Sequence, residues 1–187
     1  MTAERLEQSL RATARRKLVI EGFAPAAVLV PLIERGGAVS VGYTLRPDDM
    51  PAHAGQISFP GGRRDPDDAD LVATALREAR EELGIAAADV AVLGKVDDVP
   101  TPVGFVITPV VGWLVDPAEF VIDAREVGEY FEVGLEELTD PANFVRRGEH
   151  EIAGVGYSVP EFRVAGRLIW GATARITLRL LQIAGLL

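Results

Sequence analysis

Glu78, Glu81 and Glu82 lie in Leu71–Leu83, a stretch dominated by Ala, Leu, Arg and Glu and interrupted by neither Pro nor Gly. That composition predicts a helix. Asp67, Asp68 and Asp70 are candidate caps for the free N–H groups at its start, and Gly84 is its stop. Glu78 and Glu82, four apart, share one helix face, and Glu81, three from Glu78, flanks it. Carboxylates this close repel unless positive charge lies among them. Arg77 is placed to pair with Glu81. A hard divalent cation would compensate more, because Mg2+ takes oxygen ligands and is usually shared between carboxylates and substrate phosphate. Such a face would suit a metal ion shared with a substrate phosphate. A merely solvated, charged helix face is the alternative for the glutamates alone.

The residues before the helix weigh against that alternative. Gly55–Phe59 reads as a short β-like run, and Pro60–Asp70 as a tight loop rich in Gly, Pro and Asp. Gly61 and Gly62 allow the backbone to approach a ligand and point its polar groups at it. Arg63 and Arg64 flank the glycines and are phosphate-binding candidates. A glycine loop feeding an acidic helix is an odd way to build a plain surface.

The string Gly55–Ile85 resembles the Nudix box. Arg77-Glu78-Ala79-Arg80-Glu81-Glu82-Leu83-Gly84-Ile85 fits the second half of that pattern at every defined position. In the first half, Asp68 stands where Glu is usual, and eight residues rather than seven separate it from Arg77. Upstream, Leu45-Arg46, Met50, His53, Gly55-Gln56 and Phe59-Pro60-Gly61-Gly62 resemble the additional motif of the coenzyme A pyrophosphatase branch. Pro47, Met50 and Pro51 depart from it, where Ser, Leu and Arg are usual, and Pro51 removes one phosphate contact. Ile169-Trp170-Gly171-Ala172-Thr173-Ala174 is similar to the start of the branch's closing helix.

The resemblance implies an α/β fold of the Nudix α/β/α sandwich type with a mixed β-sheet. It implies one domain over residues 1–187, with residues 1–20 as an N-terminal helical extension. It further implies divalent-metal-dependent hydrolysis, with Mg2+ or Mn2+, of the pyrophosphate in coenzyme A or a derivative, giving 3′,5′-ADP and 4′-phosphopantetheine. Glu78, Glu81 and Glu82 would be metal ligands and catalytic residues, with Glu81 taking the water's proton. Arg46, His53, Gln56, Gly61, Gly62, Arg63 and Arg64 would bind substrate, Arg46 or Arg63 reading the 3′-phosphate. Glu126 and Glu129 are candidates for a distal acid. Rival readings are a Nudix enzyme for ADP-ribose, NADH, a damaged nucleoside triphosphate or another nucleoside diphosphate derivative, and a non-catalytic nucleotide sensor, in which the glutamates would be eroded.

The 187 residues carry a formal charge of −9, include no Cys and only two His, and are 48% hydrophobic. The apolar content suffices for a core. The acidity argues against nucleic-acid binding and demands local cations for an anionic substrate. Without Cys there is neither disulfide nor thiolate chemistry, which suits a reducing compartment, and a cytoplasmic location is expected. His53 and His150 cannot supply a multi-histidine metal site. No apolar run is long enough to span a membrane, and Met1–Leu18 reads as an amphipathic helix rather than a secretory signal. Oligomeric state is not legible.

Several elements must position the loop and the acidic helix. Ala26–Ile33 and Ala38–Leu45 read as strands joined by a Gly36-Gly37 hairpin. Val90–Val96, Gly104–Val115 and Glu129–Val133 are further strands. Leu135–Leu138 starts a short helical turn. Glu149–Arg163 is expected to pair back across an Arg147-Gly148 turn, and Thr173–Ala184 to form a closing helix. Trp113 and Trp170 are read as core.

Overall fold

Strand β1 (Ala24–Arg35) has partners on both sides, and its almost unbroken apolar run suits a strand covered on both faces. It turns through Gly36 and Gly37, at φ 56° and 84°, into β2 (Ala38–Leu45), with Arg35 opposite Ala38. Two successive positive-φ residues are what a tight two-residue hairpin requires. The computed structural model describes residues 1–47 and 55–187. β2 continues the sheet through β3 (Ile57–Ser58) and β8 (Glu129–Gly134). The first half of β1 pairs antiparallel with β4 (Gly61–Arg63), Val28 standing opposite Gly61 and Ala27 opposite Gly62. On its other side β1 runs parallel to β7 (Phe105–Val115), which holds β5 (Ala91–Lys95) and β6 (Val99–Pro100) antiparallel. Among the described residues this makes an eight-stranded mixed sheet.

Both faces are covered. Helix α2 (Leu71–Leu83) lays Ala75, Ala79 and Leu83 on Ala27, Leu29, Ile33, Val110 and Leu114. On the opposite face, Val30, Leu32, Val41, Tyr43 and Trp113 meet α1 (Ala3–Ala12), α3 (Leu135–Thr139) and α4 (Gly171–Ile183), through Leu6, Leu10, Leu138, Ala174, Ile176 and Leu181. Side chains on β1 alternate between the two cores, as the strand period requires. The expected α/β/α layering with a mixed sheet is the observed one.

A second sheet, ordered β11-β10-β9, comprises β9 (Phe144–Ile152), β10 (Val155–Val164) and β11 (Arg167–Ile169). Its hairpin turn lies at Ala153-Gly154, both at positive φ, and not at Arg147-Gly148. Gly148 instead sits in a bulge of β9, where the register slips between Ser158 and Pro160. Arg146, Arg147 and His150 are therefore strand residues rather than turn residues.

Two further expectations need correction. The N-terminal helix ends at Ala12, because the residues after it find better partners across the fold. Arg15 donates to the Val96 carbonyl, to Asp98 and to Thr108, and the Leu18 N–H donates to Asp98. Trp113 is core, donating to Glu34 at 2.9 Å, but Trp170 is 49% exposed at the head of α4. Among the described residues no helix is long and apolar enough to cross a membrane.

Candidate active site

Caps fix where α2 begins and ends, and so which way its acids point. Of the three aspartates considered, Asp70 is the cap: its Oδ1 accepts from the Val72 and Ala73 N–H groups at 2.7 and 2.9 Å. Gly84 closes the helix at φ 69°, its N–H donating to the Arg80 carbonyl at 3.0 Å. Between these ends Glu78 and Glu82 face the β3–β4 turn. The Gly61 N–H donates to Glu82 Oε1 at 3.3 Å. A Cβ on Gly62 would lie 2.5 Å from Glu78 Oε1, and one on Gly61 would lie 2.4 Å from the Ala27 carbonyl oxygen. Both glycines are thus required by close approach: Gly61 to pair with β1, Gly62 to leave room for a carboxylate. We expect Gly62→Ala to fold but to displace Glu78, lowering kcat on the order of 10–100-fold while Tm moves only a few degrees; paired steady-state rates and thermal melts check this.

Arg77 ties the site together. Its Nε and Nη2 donate to both oxygens of Asp68 at 3.0 Å, its Nη1 to Glu78 at 3.0 Å and Glu81 at 2.9 Å, and its Nη2 to the Arg63 carbonyl at 3.2 Å. Asp68 is therefore the bidentate anchor of this arginine, a role its departure from the family pattern left open. The extra loop residue accompanies a side chain one methylene shorter than Glu. The Arg77 hydrogen bonds hold the Asp68 carboxyl well below its ordinary range, and they raise the arginine's own pKa further.

Glu78 and Glu82 are shifted the other way. Burial pushes the Glu82 carboxyl up to about 8; the Gly61 N–H and the field of Arg46 oppose that shift, while Glu78 and Glu126 add to it. Burial raises Glu78 too, against its bond to Arg77. Glu81 stands at the exposed edge of the face.

The other candidates divide. Arg63 is exposed on β4, and the Arg46 N–H joins the Gln56 carbonyl at 3.0 Å beside β3. Arg64 braces the loop instead, donating to the Asp68 and Ala69 carbonyls at 3.0 and 3.3 Å. Glu129 is held by Arg167 at 2.8 and 3.0 Å, whereas Glu126 is near enough to raise both Glu78 and Glu82. His53 lies outside the described residues.

Among the described residues no three acidic or histidine side chains come together in an arrangement that could hold a metal ion. The donor set still fits a hard cation. A buried carboxylate, Glu82, and a half-buried one, Glu78, on one helix face and both pushed toward protonation, would be relieved by divalent charge.

Gly61 and Gly62, expected within a loop over Pro60–Asp70, instead open strand β4 on β1, and the Arg-clamped acidic helix docks on them. A mixed sheet between helical layers is the fold of the Nudix hydrolases. The NUDIX domain model matches residues 23–162, most of the chain, and the chain belongs to that family. It is 40% identical over 157 residues, 84% of its own length and 80% of the relative's, to a Yersinia enterocolitica protein described as an uncharacterized Nudix hydrolase NudL. Among solved structures, the Nudix hydrolase RenU of M. smegmatis superposes with a TM-score of 0.53 at 26% identity, covering 63% of this chain and 74% of that one. DR0079 of Deinococcus radiodurans gives a TM-score of 0.56 over 90% and 89% of the two chains, and its 13% identity supports the fold alone.

Proposed function

We propose that this Nudix hydrolase cleaves the pyrophosphate of coenzyme A or a derivative, releasing 3′,5′-ADP and 4′-phosphopantetheine. The observation that carries the reading is that Gly61 and Gly62, which begin β4, pack directly on Glu82 and Glu78. The same two glycines close the Leu45-Arg46, Gly55-Gln56, Phe59-Pro60-Gly61-Gly62 pattern of the coenzyme A branch. Mg2+ or Mn2+, held by Glu78, Glu82 and Glu81, would neutralise the phosphates and acidify a water.

The chain's own residues set up the rest. The Gly61 N–H and Arg77 fix the orientation of Glu82 and Glu78. Glu81, exposed and held by Arg77, accepts the proton of the attacking water. That water's oxygen bonds to one phosphorus as the bridging P–O bond breaks, leaving two phosphate monoesters. Arg63 offers positive charge beside the glycine turn, and Arg46 offers it beside Gln56.

The test is a screen of coenzyme A, dephospho-coenzyme A, ADP-ribose, NADH and nucleoside triphosphates with each metal, read as product phosphates. Coenzyme A should show the highest kcat/KM. Turnover of ADP-ribose or NADH without turnover of coenzyme A overturns the reading. Pro51, standing where the branch pattern has Arg, is the observation that favours such a nucleoside diphosphate derivative as the second reading.

Arg46→Ala and Arg63→Ala are each expected to raise KM for coenzyme A about tenfold or more, as a charge-assisted contact of ~1.5–3 kcal/mol predicts. Dephospho-coenzyme A, assayed alongside, separates two roles. A selective loss for coenzyme A assigns the arginine to the 3′-phosphate, and an equal loss assigns it to the pyrophosphate.

A further inference from the structure

The chain is acidic overall, yet around Arg175 the neighbouring Arg16 and Arg179 share the carboxylate of Asp97 while Arg175 does not. Arg175 lies in α4, on the face of the central sheet opposite the glutamates. Its guanidinium carbon sits 3.5 Å from the centroid of the Tyr157 ring on β10. Among the described residues no carboxylate or hydrogen-bond acceptor holds that guanidinium. One turn further along α4, Arg179 shows the ordinary arrangement, donating to Asp97 at 2.9 Å. Arg16, whose backbone N–H is pinned to Asp97 at 2.9 Å, brings a second positive charge close enough to disfavour that of Arg175. His150 stands across from Tyr157 in the β9–β10 register, with the two rings 6.4 Å apart and nearly parallel.

This arrangement is costly without a counter-ion. Burial, and to a lesser extent Arg16, pulls the Arg175 pKa down to about 10, with the Tyr157 phenol partly opposing them. Removing a charge from water beside a like charge destabilises it, and an anion reverses both effects at once. Stacking uses the face of a guanidinium and leaves its N–H edge available in the plane, where it matches a tetrahedral oxyanion with two parallel hydrogen bonds. The ring of Tyr157 holds that fork in one orientation, so little side-chain freedom is lost on binding.

We propose that Arg175, stacked on Tyr157, forms a binding site for a phosphate monoester. Two sources share this chemistry: a peripheral phosphate of the hydrolysed substrate, and a separate small phosphorylated ligand. The first rests on the function proposed above, and the second stands without it.

The probe is inorganic phosphate titrated into the full-length, metal-free protein, followed by the arginine Nε–Hε resonances in nuclear magnetic resonance. Metal is omitted so that the glutamate cluster does not recruit phosphate. Saturable shifts of the Arg175 resonance are expected, with at least a tenfold weakening in Arg175→Gln. Wild-type affinity is expected in Arg147→Gln, which removes an arginine already paired with Glu161. Absence of any shift at Arg175 in the wild type, or equal affinity in Arg175→Gln, overturns the proposal and leaves the Arg175–Tyr157 pair as packing. The wild-type titration decides alone if Arg175→Gln fails to fold.

The source follows from kinetics. If Arg175→Gln raises KM for coenzyme A at least tenfold more than for dephospho-coenzyme A, the substrate's 3′-phosphate occupies the site. If phosphate binding is lost with both KM values unchanged, a separate ligand does. Should the screen find that the protein does not turn over coenzyme A, the function proposed above fails while the phosphate titration still tests this site.

Discussion

Glu82→Gln is expected to lower kcat by ~10³-fold or more at saturating Mg2+, equivalent to about 4 kcal/mol on the barrier, with the far-ultraviolet circular dichroism unchanged. Gln keeps the volume of the side chain and can still accept from the Gly61 N–H, so the β3–β4 turn retains its seat. What Gln lacks is the negative charge that a divalent cation requires at a buried position. Steady-state rates across a metal titration make the check. Near-wild-type turnover at any Mg2+ concentration would remove Glu82 from the metal site.

The same substitution should stabilise the metal-free protein at alkaline pH. Burial raises the Glu82 carboxyl from 4.5 to about 8 on folding, so between those values the native state binds a proton that the unfolded chain has released. Stability therefore falls as pH rises through that window, and is highest below it. The full loss is on the order of 4 kcal/mol by pH 8 and above. Gln removes this dependence, so in chelator the variant should melt above the wild type at pH 8.5 and alongside it near pH 5. Mg2+ should restore the wild type and do less for the variant. Identical pH slopes for the two proteins in chelator would show that the Glu82 charge costs nothing in the native state.

The sequence revealed the site through spacing, because four-residue separations on an uninterrupted helix leave little freedom in where side chains go. Glu78 and Glu82, the Arg77–Glu81 pair and the glycine stop at Gly84 follow from that. Asp68 was harder to read. Its pairing with Arg77 depends on how a loop of Pro, Asp and Gly folds back, and that is settled by the Asp65 N–H bond at 2.9 Å and the long reach of arginine rather than by any period. The β9–β10 turn was misplaced for a related reason. Gly148 looks like a turn residue, yet glycine also accommodates a bulge, and the pairing partners that decide between the two lie in another segment. Helix α1 stopped early because Arg15 found Asp98 and Thr108 more than eighty positions away, contacts that no local propensity encodes. Trp170 departs from its core reading because its place as the cap of α4 leaves half of it in water.

The parallel pairing of β1 with β7 has a consequence for how the protein is made. Residues 24–34 meet residues 105–115, and α2 lies between them in the chain. A ribosome therefore delivers β1, the glycine turn and the acidic helix well before β7. Thirteen residues of isolated helix are marginal in water, and the apolar face formed by Ala75, Ala79 and Leu83 has only part of its seat until Val110 and Leu114 emerge. The nascent chain meanwhile carries the apolar run of β1 with one whole edge unpaired, a template for wrong pairing. Closure of so long a loop is slow compared with local hairpin formation, so the apolar face of α2 gains its full seat only after β7 has emerged, later than the local contacts of Gly61, Gly62 and Arg77 that orient the carboxylates.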